Sequence, residues 1–174
     1  MTVTSEDISL GVCDIIFNGL DLGSTKGGVE VSVKTANHTV KCDQFGETPV
    51  KDIILGTEVT IKVPMLETNM KKLLAVMPQG HAVTASGGSD VVGVEIRSGV
   101  NIDLLALSGL LKLHPTGVDP AVKKDDFTAF KAAPVPNFAF KYESNNERVF
   151  EVTFNCYPDV SHNYRIAAFG DAGL

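Results

Sequence analysis

The side chains best suited to chemistry gather between His38 and Glu47. His38 and Cys42 stand four positions apart, with Asp43 and Glu47 just beyond. Along an extended chain this spacing places His38 and Cys42 on one face. An imidazole and a thiolate so placed could grip a divalent cation, and His38 with Asp43 or Glu47 could share a proton as acid and base. A structural zinc site needs four ligands, however, and no second His/Cys cluster completes one. Gly23 to Gly28 has the glycine content of a phosphate cradle, but Val29 stands where the lysine should be and no Ser or Thr follows in register. A Gly-rich turn is the expectation there. His81, His114 and His162 are isolated in sequence and expected at surface or turn positions, and Asp125-Asp126, flanked by lysines, in a solvated loop. No Gly-x-Ser-x-Gly nucleophile elbow is present. The expectation is a protein that is not an enzyme and uses no cofactor and no metal.

The elements that must position these residues follow from composition and period. A chain of 174 residues, 44% hydrophobic and 21% charged, suits one globular domain spanning 1–174. Residues 1–9 are set apart as a candidate flexible arm. The net charge of −6 argues against a protein that holds nucleic acid by neutralising phosphates, yet is compatible with one that lets nucleic acid pass. With no Trp and three Tyr, aromatic platforms for a sugar are few. Met1 to Asp14 has no basic run ahead of an apolar one, and no apolar stretch approaches the ~18 residues of a membrane span. Cys13, Cys42 and Cys156 are odd in number and scattered, so no disulfide framework is expected. Asn37-His38-Thr39 matches a glycosylation sequon, to which the missing leader gives little weight. These features suit a protein made in a reducing cytoplasm, with no membrane partner.

Strict alternation appears twice. Val29, Val31 and Val33 oppose Glu30, Ser32 and Lys34; Val59, Ile61 and Val63 oppose Glu58, Thr60 and Lys62. Each marks a half-buried antiparallel strand. Gly11–Phe17 reads as a strand ended by Asn18-Gly19, and His38 to Asp43 as a partner reached across Thr35-Ala36-Asn37. Residues 43–56 then form an extended loop, too long for a hairpin turn. Met70, Leu73, Leu74 and Met77 form the stripe of one short helix, with Thr68 as N-cap and Pro78 and Gly80 ending it. Further strands are predicted at Val91–Arg97, Asn101–Leu107, Gly109–Leu113 and Tyr164–Phe169. A hairpin pairs Phe138, Phe140 and Tyr142 with Phe150, Val152, Phe154 and Cys156. With about nine strands, one helix and no βαβ alternation, the class is mainly β, an antiparallel sandwich or barrel with one short flanking α-helix and a long inter-subunit loop.

Phe17-Asn18-Gly19-Leu20-Asp21-Leu22-Gly23-Ser24-Thr25-Lys26-Gly27-Gly28-Val29 resembles the early segment of many bacteriophage tail tube proteins. Asp43-Gln44-Phe45-Gly46-Glu47-Thr48-Pro49-Val50 is similar to the arm that follows it there, and the helix occupies the corresponding place. The resemblance is dense over residues 10–80 and rests on strand order and the aromatic hairpin beyond. It implies a virion subunit that assembles with itself into stacked hexameric rings, forming a hollow shaft through which DNA is ejected without specific binding. It also implies meetings with a baseplate, a tape-measure protein, a terminator and, in contractile tails, a sheath. The alternative class is a monomeric β-sandwich that binds a ligand such as a carbohydrate.

The chemistry of an assembling shell fits these residues. Exposed strand edges carry unpaired N–H and C=O groups, which a closed ring of head-to-tail contacts would pair. In the arm, Gly46 reaches backbone angles closed to other residues, Pro49 pushes Thr48 toward extended geometry, and Phe45 offers an apolar anchor. Asp43, Gln44, Phe45, Gly46, Glu47, Thr48, Pro49 and Val50 are therefore the expected oligomerisation loop. Glu30, Ser32, Lys34, Glu58, Thr60 and Lys62 are the expected lumen-facing set. Six copies would carry a charge of roughly −36 per ring, offering passing DNA nothing to bind.

Overall fold

Val59, Ile61, Val63 and Met65 alternate with Thr60, Lys62 and Pro64, and the four are buried, so this stretch has one dry face. In the computed structural model, which describes residues 11–67, 69–135, 140–145 and 147–173, that face lies at the centre of a curled antiparallel sheet. The strands are β1 (Cys13–Phe17), β2 (Leu20–Asp21), β3 (Glu30–Lys41), β4 (Pro49–Met65), β5 (Gly80–Thr84), β6 (Val91–Ile96), β7 (Gly109–Pro115), β8 (Phe127–Val135), β9 (Phe150–Cys156) and β10 (Ala167–Phe169). The single described α-helix, α1, spans Met70–Ala75 and packs against β5 and β6. Sheet order is β2-β1-β7-β8-β9-β4-β3, with β10 also on β8 and β5–β6 as a separate hairpin. The protein is thus mainly β, of the sandwich type its alternations predict.

Curling brings distant strands together. Phe17 on β1 and Phe154 on β9 are three places apart in the sheet, yet their rings pack at 5.2 Å. Ile15, Leu111, Leu113, Val152 and Phe150 complete the same core. The two ends of the sheet are joined by Ser24–Lys26. Thr25 bridges Met65, Lys26 N–H donates to the Pro64 carbonyl at 3.2 Å, and Leu66 N–H donates to the Ser24 carbonyl at 2.9 Å. The β1–β2 turn needs two positive φ angles, which Asn18 (49°) and Gly19 (79°) provide. Asn18 then serves a second strand, donating its N–H to the Leu110 carbonyl at 2.9 Å and accepting Leu110 N–H on Oδ1 at 3.1 Å. A Cβ on Gly109 would fall 1.8 Å from that Oδ1, so only glycine admits the contact.

Several elements differ from the sequence expectation. β3 runs unbroken through Thr35-Ala36-Asn37, so no turn occurs there. Residues 101–107 form no strand. Phe140 and Tyr142 lie outside any strand and Phe138 outside the described residues, so the aromatic hairpin is replaced: β9 pairs with β4 and β8. β8 was invisible because it is buried on both faces, so it shows no alternation, and its alanines signal strand weakly. Strand at the C-terminus narrows to Ala167–Phe169, since Asn163 and Tyr164 have positive φ. Thr68, the expected N-cap, lies outside the described residues; Asn69 Oδ1 caps the helix by accepting from Lys71 N–H at 2.9 Å.

Candidate assembly surface

The segment expected to be a loop is the outer half of one long hairpin. β3 and β4 stay paired from Glu30↔Lys62 to Lys41↔Pro49. Only Val59–Met65 of β4 also pairs with β9. Beyond Val59, β3 and β4 have no described partner but each other, so a two-stranded ribbon leaves the sheet. It takes in eight residues of β3 and, with the two extra residues of its bulges, ten of β4, roughly 26 Å of paired length. This corrects the 43–56 loop: the connection is only residues 42–48, opening with a 3₁₀ turn at Asp43–Phe45 and closing through Gly46 at φ 58°, ψ −130°. Thr48 leads into Pro49, the first residue of β4.

Two β-bulges explain why the alternation fades. The register shifts between Ala36 and Asn37 and between Val40 and Lys41, leaving Leu55 and Val50 without cross-strand partners. Each extra residue inverts the in/out phase of β4 and strengthens the local twist. The inversion places Ile53 opposite His38 and Ile54 opposite Asn37, so apolar side chains stand on both faces. None is covered: Ile54 is 70% exposed, Leu55 69% and Phe45 64%, with Val50 and Ile53 also open. Polar ties brace the ribbon, with Thr39 Oγ1 donating to Asp52 at 2.5 Å and Lys41 paired with Glu47 near the tip.

Nearer the core, the six expected lumen residues share one face as cross-strand pairs: Glu30 with Lys62, Ser32 with Thr60, Lys34 with Glu58. Glu30 and Lys62 form an ion pair at 3.4 Å, and this face is open to solvent or half-buried while Val31 and Ile61 lie on the other. His38 and Cys42 sit on the ribbon and its connection, and no group of three or more His, Cys, Asp or Glu that could hold a metal occurs among the described residues.

Gly23–Ser24 carries an acidic ligand of its own. Ser24 donates its N–H (3.1 Å) and hydroxyl (2.9 Å) to Glu67, whose second oxygen accepts from Lys72 Nζ at 2.8 Å. The Lys72 bond, with those from Ser24, holds the Glu67 carboxyl down at about 2. The donors of Ser24 are thus already taken up by a carboxylate, in agreement with a turn.

Two expectations about titratable groups fail. His114 and Asp126 are buried, and they meet: His114 Nδ1 lies 2.5 Å from Asp126 Oδ1, while Lys112 Nζ lies 2.8 Å from Oδ2. His114 Nε2 faces the Val118 carbonyl at 3.2 Å. The hydrogen bond to Asp126 raises the His114 pKa. Burial opposes ionisation of Asp126, but Lys112 and His114 outweigh it and hold its carboxyl below the usual range. No sequence spacing announced this cluster, because β7 and the 116–126 connection fold onto one another; Lys112 and His114 at i, i+2 on one strand face was its only trace. Both nitrogens of His114 face acceptors inside the protein, so neither is turned toward a substrate. His81 and His162 are exposed, as expected.

A cleft of about 550 Å³ lies between α1, β5 and the Asn18–Leu20 turn. Of its lining residues only His81 titrates, so it gathers no acid–base pair. Neither a protein-family model nor a curated protein matches this chain.

Proposed function

We propose that this protein is a self-assembling structural subunit of the tail-tube kind, built to form stacked hexameric rings around a channel for DNA. One observation carries the proposal: a two-stranded ribbon that leaves the sheet with both edges unpaired among the described residues and with Phe45, Val50, Ile53, Ile54 and Leu55 exposed. Isolated hairpins are marginal in water, and contiguous exposed apolar surface marks interaction sites. Contact with neighbouring copies would bury those side chains and pair those edges. The Glu30–Lys62 face, polar and wet, is then the candidate channel lining, and the other tail components named by the resemblance are its proposed partners. Sedimentation velocity across a concentration series, with negative-stain microscopy of the largest species, tests this. Hollow cylinders of uniform width support it; a single 18.5 kDa species at every concentration, also with tail components added, overturns it.

The competing reading, a monomeric carbohydrate binder, draws on Tyr142, which is 79% exposed and packs edge-on to Phe140 at 5.4 Å beside Arg148. Glycan-array binding by the monomer, lost in Tyr142→Ala, would favour it.

A further inference from the structure

The His114 site has more acceptors than a neutral imidazole can serve. Asp126 Oδ1 faces Nδ1 and the Val118 carbonyl faces Nε2, and neither can donate a proton to the ring. A neutral ring has one N–H and satisfies one of them; the imidazolium satisfies both. Those acceptors belong to the two ends of one segment, the connection 116–126, which lies over β7. Its far end also holds the C-terminal strand, since Gly170 N–H donates to the Asp126 carbonyl at 2.8 Å.

We propose that His114 is a proton-operated latch: as imidazolium it pins the 116–126 connection over β7, and on losing its proton it releases Val118 and lets that connection open. The release is partial for a geometric reason. Asp126 uses separate oxygens for His114 and Lys112, so Lys112 still holds the carboxylate when the ring becomes neutral. The middle of the connection opens while its Asp126 end and β10 stay in place.

Charged groups on every neighbouring element agree with this. On β7 itself Lys112 opposes the ring's charge, but it stands on the far oxygen of Asp126. On β1, Asp14 is the register partner of His114, and its carboxylate accepts from Thr116 Oγ1 at 2.7 Å. β8 contributes the buried, uncharged Thr128. On the connection Lys123 pairs with Asp171 at 3.6 Å, and Lys124 and Asp125 are exposed. Two carboxylates and a carbonyl thus answer two cations. The sign follows: a histidine with a raised folded pKa stabilises the closed form below its unfolded value and loses that effect as pH rises through the folded value.

The test uses the intact, isotope-labelled protein. Long-range ¹H–¹⁵N NMR at pH 6 should show both His114 nitrogens protonated. Hydrogen exchange, corrected for intrinsic rates, should show protection of the Val118 and Val122 amides falling by up to about tenfold per pH unit from the ordinary imidazole value up to the His114 midpoint, and levelling off above it. The Gly170 amide should keep its protection through that range. In His114→Gln, protection at Val118 should be low already at pH 6 and independent of pH. A ring with one unprotonated nitrogen at pH 6 would overturn the latch, as would protection unchanged across the titration or lost from all amides together. The wild-type measurements decide the matter even if the variant fails to fold. They are independent of self-assembly, so the latch and the tube proposal stand or fall separately.

Discussion

Replacing Phe45, Ile54 and Leu55 together by Ser separates assembly from folding. Each side chain is about two-thirds exposed and touches no part of the buried core. Complete burial of such a residue stabilises by about 1.5–3 kcal/mol, so covering the exposed two-thirds against a neighbour would contribute about 1–2 kcal/mol. Three residues then account for roughly 3–6 kcal/mol per contact, or about a hundred- to ten-thousand-fold in its dissociation constant. The critical concentration for forming pelletable tubes should rise by a comparable factor. Folding should hardly notice, because each substitution alters an exposed side chain and leaves the backbone able to keep its geometry, a change of about 0.5 kcal/mol or less apiece. The assay pairs quantitative pelleting with a thermal melt on the same samples. Wild-type critical concentration in the triple variant would refute the ribbon's role, whatever the tubes look like. A large fall in melting temperature would show instead that the ribbon packs on its own domain.

Other outcomes follow from the interior. Phe154→Ala removes the ring that β1 and β9 share, and should cost about 3–5 kcal/mol, lowering the melting temperature by roughly 6–20 °C in calorimetry. Asp126→Ala leaves Lys112 and His114 as adjacent cations without their buried partner; a loss of about 3–5 kcal/mol in urea unfolding is expected. Glu67→Gln should speed exchange of the Ser24 amide and loosen the join between the sheet's ends. Since the Glu67 carboxyl is held at about 2, its contribution is complete above the ordinary carboxylate range and fades as pH falls from about 4.5 toward 2. Exchange at Ser24 that is indifferent to pH over that interval would contradict the assignment. Gly109→Ala should break the Asn18–Leu110 contacts, visible as a shifted Leu110 amide resonance.

What the sequence determined by itself was the local grammar. Val59, Ile61 and Val63 had to face a core because a period of two admits no other solution, and Asn18-Gly19 had to turn because both residues tolerate positive φ. The helix, the mainly β class and the polar face of Glu30, Ser32 and Lys34 were equally legible. Tertiary structure decided everything that depends on partners distant in the chain. It made the outer half of β3–β4 a ribbon rather than a loop, because two bulges erase the alternation that a strand would otherwise announce. It buried β8 on both faces, and it set His114 against Asp126, whose meeting depends on how a twelve-place separation folds back rather than on any spacing. Periodicity reports which face of an element is dry; only packing determines what stands opposite it, and there the charges and the unpaired edges acquire their meaning.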